Sequence, residues 1–125
     1  MNLCFCNSQK AFQDCCEPYI KGLKKAPTAE ALMRSRYSAY ATHQADYLVE
    51  TTHVSQRALH SKVDILLWAT ANQWQKLEVI KTSSTTVEFK AYYLDSNKKQ
   101  QIHHEFSTFI QEEGVWYYVD GEYYE

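Results

Sequence analysis

Cys4, Cys6, Cys15 and Cys16 are all the cysteines of the chain, spaced C-x-C-x8-C-C within a short N-terminal stretch. Four thiolates can complete a tetrahedral zinc shell with zinc–sulfur distances of about 2.3 Å. A tight turn through Phe5 can aim Cys4 and Cys6 the same way, and Asn7 and Ser8 favour such a turn. A helical turn within residues 9–16 would bring the second pair back to close the loop. A structural disulfide is set aside, because a reducing cytosol disfavours it and the adjacent Cys15–Cys16 pair is too constrained for an ordinary bridge. Free buried thiols and redox chemistry are the alternatives, although no C-x-x-C pair supplies the usual redox geometry. Four protein thiolates leave no coordination position for water, so a metal here is a fastener or a docking knob rather than a catalyst.

The other chemistry-bearing run is His103-His104-Glu105. Successive strand residues point to opposite faces, so Glu105 shares a side with His103 and Phe109, and His104 with Ile102, Phe106 and Ile110. A His104–Glu105 dyad is thereby disfavoured. Acid–base partners must come from different elements, for example His104 with Asp120 or His53 with Glu105, and a histidine opposite a carboxylate could move a proton beside a carbonyl.

These groups must be positioned by a chain whose pattern changes midway. Pro18 and Gly22 punctuate residues 17–26, which read as a short helix and connector. Thr28 suits an N-cap, and residues 29–43 contain neither Gly nor Pro. Within them, Met33, Tyr37, Tyr40 and Ala41 recur at helical spacing, predicting an amphipathic helix with an aromatic inner stripe. Asp46 suits the N-cap of a shorter helix to about Thr52, and a third, from about Ser61 to Asn72, carries Val63, Leu66, Leu67 and Thr70 on one side. After Trp74 the period becomes two: Val87, Phe89, Ala91 and Tyr93 alternate with Glu88, Lys90 and Tyr92. Residues 75–82, 100–111 and 115–121 read as further strands, joined by turns at Ser83-Ser84, Asp95-Ser96-Asn97 and Glu113-Gly114. Helices followed by a meander predict an α+β fold with the helices across one concave face of a twisted antiparallel sheet.

The chain of 125 residues is the size of one ordinary domain with a small appendage, and its balance of 45% hydrophobic to 22% charged residues is that of a globular protein. A formal net charge of −2 gives no footprint for nucleic acid, which is not expected as a partner. Lys21, Lys24 and Lys25 read as a solvated helix end. No apolar run approaches a transmembrane length, and no basic segment followed by an apolar stretch opens the sequence, so a cytoplasmic location is expected. Ten tyrosines and three tryptophans suggest an aromatic-lined pocket or a tyrosine-rich sheet face.

With Ser8, Lys10 and Phe12 between them, the four cysteines resemble the SEC-C motif, a zinc-binding knuckle that in a protein-translocation ATPase helps contact a chaperone and phospholipid. Phe5, Asn7 and Gln9 stand where the usual motif has a proline and two glycines. The segments LMRSRYSAY (32–40), DYLVETTH (46–53), TVEFKAYY (86–93), HHEFSTF (103–109) and GVWYYVDG (114–121), with the strand bearing Glu78, resemble the YchJ-like family. That family joins an N-terminal SEC-C knuckle to an NTF2-like domain, a cone of helices on a curved antiparallel sheet. Many members carry a second knuckle at the C-terminus; no second cysteine cluster occurs in this sequence. The resemblance implies a zinc knuckle and connector at 1–26 and an NTF2-like domain at 27–125, with zinc as cofactor, rather than a particular reaction.

The matching motifs place Arg34, Arg36, Tyr37, Tyr40, His53, His104, Glu105, Trp116, Tyr118 and Asp120 as candidate pocket residues. Simpler roles stand beside that one: Arg36 tied to Glu105 or Asp120, His53 capping a helix end, and Trp116 and Tyr118 as core or sheet surface. Such cones host both binding modules and enzymes. With no nucleophile motif or clustered acid pair, the expected function is a binding or adaptor module, the knuckle docking a protein partner and the cone taking a small-molecule ligand. The alternative is a small-molecule enzyme of the isomerase, dehydratase or hydrolase type.

Overall fold

A computed structural model describes residues 3–124. Four helices, α1 (Glu17–Ile20), α2 (Ala29–Ala41), α3 (Ala45–Glu50) and α4 (Lys62–Ala71), precede four strands, β1 (Gln73–Thr82), β2 (Thr86–Leu94), β3 (Gln100–Glu112) and β4 (Val115–Tyr124). The strands form one antiparallel meander in the order β1-β2-β3-β4. This is the α+β cone expected, with α2 lying against β1, β2 and β4 and touching α3 and α4.

Local signals explain the element ends. Thr28 Oγ1 accepts from Ala31 N at 3.0 Å and Ser61 Oγ from Asp64 N at 3.3 Å, so both helices start on hydroxyl caps. Gln44, not Asp46, is the N-cap of α3; Asp46 lies in its first turn. Glu113 and Gly114 both have positive φ, 52° and 80°, as a two-residue hairpin requires to match strand twist. A 3₁₀ segment, Val54–Leu59, fills the gap between α3 and α4.

Two helix faces differ from the periodicity reading. α2 buries not one stripe but most of its circumference, including Ala29, Leu32, Met33, Ser35, Arg36, Tyr37, Ser38 and Ala39. It is the central helix of the molecule, covered by the cysteine segment and α1, by α3 and α4, and by the sheet. On α4 the side bearing Val63, Leu66, Leu67 and Thr70 faces outward, Val63 being 66% and Leu67 62% exposed, while Ile65 and Ala69 supply the buried contacts.

The cysteine segment is joined to the cone through a shared core. Cys4, Cys6 and Cys16 belong to one buried cluster with Leu32, Met33, Tyr37, Leu77 and Val87. Along β3, Glu105, Ser107 and Phe109 alternate into the interior, so the inner face of this strand brings a carboxylate and a hydroxyl into the apolar space.

Candidate metal centre and ligand cavity

The cysteine loop closes through Cys4 N–H donating to Lys10 O at 2.7 Å, within a bridge between Leu3 and Ala11. Asn7 and Gln9 turn the chain in the left-handed region, with φ of 64° and 72°. They thus adopt the backbone that glycine would provide more cheaply. The short helical turn Phe12–Asp14 then delivers Cys15 and Cys16. Asn7 Oδ1 accepts from Leu77 N on β1 at 2.8 Å, and Arg34 Nη1 donates to Cys6 O at 2.7 Å, fastening the loop to the cone from two sides.

All four Sγ atoms lie within 4.8 Å of one another. Cys6 and Cys15 Sγ are 3.7 Å apart and Cys15 and Cys16 Sγ 3.9 Å. A tetrahedral metal–thiolate site with bonds of about 2.3 Å separates its sulfurs by about 3.8 Å, so the spacing fits. The electrostatics also fit a cation. The neighbouring Cys16 and Cys6 thiols favour ionisation of Cys4, whereas proximity to Cys4 and Cys6 keeps the Cys16 proton on, and burial pushes the Cys15 thiol up. Four negative sulfurs can share this space only around a positive charge. The segment can therefore hold a metal ion, with Cys4, Cys6, Cys15 and Cys16 as its ligands.

The second site is a cavity of about 440 Å³ between α2, α4 and the inner face of the sheet. Of the residues singled out in the sequence, Arg36, Tyr37, Tyr40, Glu105 and Tyr118 line it. The other five lie elsewhere. Arg34 serves the cysteine loop and pairs with Glu30 at 2.9 Å. His53 caps the start of the 3₁₀ segment, Nδ1 accepting from Ser55 N, and its Nε2 lies 2.8 Å from Glu112. His104 is paired with Glu88 at 2.8 Å. Trp116 donates from Nε1 to Pro27 O at 3.3 Å and borders a smaller cleft beside α1. Asp120 is exposed on β4.

The pairings suggested by sequence therefore change: His104 meets Glu88 rather than Asp120, His53 meets Glu112 rather than Glu105, and Arg36 has neither Glu105 nor Asp120 as an ion-pair partner. The pair that does form is His103 with Glu105, Nε2 to Oε1 at 2.7 Å, the same-face relation that strand alternation gives. Glu105 Oε2 accepts from Ser107 Oγ and from Tyr118 Oη, the latter at 3.1 Å. Burial pushes the Glu105 carboxyl up, but donation from His103, Ser107 and Tyr118 and the charge on His103 outweigh it, holding the group below its ordinary value. Gly121 of β4 makes room: a Cβ there would overlap the Glu105 carboxylate. Burial, with Glu105 nearby, pushes the Tyr118 phenol up, so it stays a proton donor.

Apolar walls complete the cavity. Trp68 and Trp74 pack edge to face at 6.0 Å, and Trp74 also meets Tyr37 and Tyr40. His60 stands near Tyr118, its pKa lowered by burial and by Arg36, which keeps it neutral. Reading two positions either way from Glu105 along β3 finds His103 and Ser107; the placing of His60, at the end of the 3₁₀ segment, of Trp68 on α4 and of Trp74 on β1 depends on how those elements dock and has no such local signal.

Residues 28–121 match the family model described as YchJ, middle NTF2-like domain, and residues 2–18 match the SEC-C motif. The chain belongs to the YchJ-like family. It is 44% identical over 126 residues to UPF0225 protein plu2503 of Photorhabdus laumondii, covering 95% of this chain and 79% of that one. It is 39% identical to UPF0225 protein GSU1048 of Geobacter sulfurreducens, covering 96% and 78%. Among solved structures, the SEC-C motif containing protein RPA3114 of Rhodopseudomonas palustris superposes with a TM-score of 0.90 at 37% identity, covering 99% of this chain and 100% of that one. A SEC-C motif containing protein of Psychrobacter arcticus gives 0.82 at 36% identity, covering 96% and 81%. The YchJ-like architecture thus accounts for both the knuckle and the cone. Among the described residues, no helix is long and apolar enough to cross a membrane.

Proposed function

We propose that this YchJ-like protein is a zinc-stapled binding module of the cytoplasm, holding zinc structurally on Cys4, Cys6, Cys15 and Cys16 and a small molecule in the cone. The observation that carries the reading is the cavity itself, about 440 Å³ of mainly aromatic wall over a floor where Glu105 and Arg36 present fixed charges. Such a concave apolar space with few convergent polar groups is what small-molecule sites share. Zinc suits an all-thiolate tetrahedral shell, and the reducing cytoplasm keeps those thiols free to bind it. The outer surface of the knuckle, where Leu3 and Phe5 are exposed, is the place for a protein partner to dock.

The test is native mass spectrometry and metal analysis of the purified protein beside its Cys15→Ser/Cys16→Ser variant. The expected result is one zinc per chain in the first, little in the second, and a small molecule released on denaturing the first. A folded protein without metal, whose four thiols all react freely, overturns the zinc assignment. Absence of any binding to the cone by a broad small-molecule screen overturns the ligand site.

The His103–Glu105 pair favours a second reading, an enzyme that moves a proton. In its neutral form, with Nε2–H donating to Glu105, His103 would have Nδ1 free as the acceptor of a proton, and the residue lines the cavity. Solvent-deuterium exchange into carbonyl compounds, lost in His103→Gln, separates this from binding alone.

A further inference from the structure

Arg36 borders the cavity without an anionic partner. It is only 8% exposed, and its hydrogen bonds all run through Nη1, to Leu48 O at 2.9 Å, Thr51 Oγ1 at 2.7 Å and Thr52 Oγ1 at 3.3 Å. These acceptors are neutral. One face of the guanidinium stacks on the Tyr118 ring, 4.4 Å from its centroid. Among the described residues no carboxylate forms an ion pair with it, and Glu105 is already taken up by His103, Ser107 and Tyr118.

Among the described residues Nε and Nη2 have no hydrogen-bond partner, yet every fully buried side-chain polar atom there has one. These donors therefore keep contact with open space, and the space Arg36 lines is the cavity. A guanidinium does not give up its proton, and a buried charge without a counter-charge is costly. Its Nε–Nη2 edge is a planar two-donor fork that matches a carboxylate.

We propose that the cone binds an organic carboxylate, its two oxygens on the Nε–Nη2 edge of Arg36 and its aryl or alkyl body against Tyr37, Tyr40, Trp68 and Trp74. This rests on the reading of the cone as a ligand site. A monoanion matches the single guanidinium. Among the described residues no second arginine or lysine lines the cavity, and Glu105 brings negative charge to the same lining, so a phosphate dianion would be poorly balanced.

The experiment compares 4-phenylbutyrate, 4-phenylbutanamide and 4-phenylbutylamine on the full-length, metal-loaded protein. Binding is followed by the Arg36 Nε–H resonance and the indole N–H resonances of Trp68 and Trp74. The acid is expected to bind about tenfold or more tighter than the amide and to shift Arg36 Nε–H, because only it makes charge-assisted bonds to both donors. Arg36→Lys, which keeps the charge but loses the fork, is expected to reduce that preference. The acid and amide comparison stands without the variant, should it fold poorly. If the amide or amine binds the cavity as tightly as the acid, the carboxylate proposal is wrong while the ligand site stands. If none of the three perturbs the cavity resonances at millimolar concentration, the ligand site itself fails, and the proposal with it.

Discussion

Replacing Gly121 with alanine tests how tightly Glu105 is held. The backbone at Gly121 is outside the left-handed region, so alanine carries no conformational strain of its own there. Its Cβ would instead overlap Oε2, Cδ and Cγ of Glu105, forcing the carboxylate off its partners. Oε2 accepts from Ser107 and Tyr118, and a hydrogen bond to a charged group contributes roughly 1.5–3 kcal/mol, so losing both would cost about 3–6 kcal/mol. Because part of the strain can relax by rotation of the Glu105 side chain, the lower end, about 3 kcal/mol, is the expected loss. That corresponds to a fall in Tm of roughly 10 °C for a domain of this size. Urea unfolding followed by tryptophan fluorescence supplies the measurement. The same substitution in a Glu105→Ala background should cost less than about 1 kcal/mol, since the obstacle is gone, giving a coupling of about 2 kcal/mol. Equal costs in the two backgrounds would refute the idea that Gly121 exists to seat the carboxylate.

Two further outcomes follow from the same structure. Glu105 is held below its ordinary value of 4.5, so its ionised form stabilises the fold above that pH and the contribution fades as pH falls through the lower folded value. Urea midpoints from about pH 6 down to about pH 3 should therefore drop more steeply in wild type than in Glu105→Gln, a comparison in which acid loss of any metal is common to both; parallel curves would remove the carboxylate from the account. Gln9 is exposed and left-handed, so Gln9→Gly should raise stability by about 0.5–1 kcal/mol, whereas Asn7→Gly, which also deletes the acceptor for Leu77 N–H, should lower it; chemical denaturation reads both, and a destabilised Gln9→Gly would contradict the turn geometry.

Sequence carried the elements further than it carried their docking. The hydroxyl cap at Thr28, the helix start at Ser61, the period-two run from Val87 and the Glu113-Gly114 turn are local signals, and each stands close to where it was read. The cysteine cluster was equally legible, because four thiols so close in sequence leave few ways to arrange them. What failed to show was which partner covers a face. The apolar side of α4 from Val63 to Thr70 is turned outward, and α2 is wrapped nearly all round, since burial depends on neighbours far along the chain. For the same reason His103 and Ser107 follow from Glu105 by strand alternation, while the cross-strand partner of His104, Glu88, comes from a neighbouring strand. Arg36 was visible as a charge in the helix, but not the hydroxyls of Thr51 and Thr52 that meet it in place of a carboxylate.

The central position of α2 puts the cysteine cluster and the cavity against one helix. Arg34 on this helix holds the Cys6 carbonyl and Ser38 meets the Cys4 sulfur at 3.5 Å, while Arg36, Tyr37 and Tyr40 of the same helix line the cavity. A stiff helix cannot shift at Ser38 and stay still at Tyr37. If filling the cysteine cluster shifts α2, reciprocity makes the two effects equal: the factor by which a filled cluster changes ligand affinity is the factor by which ligand changes metal affinity. With such a shift, the equilibrium distribution of the ion between the protein and a competing chelator would report on the cone, readable without knowing what the cone binds.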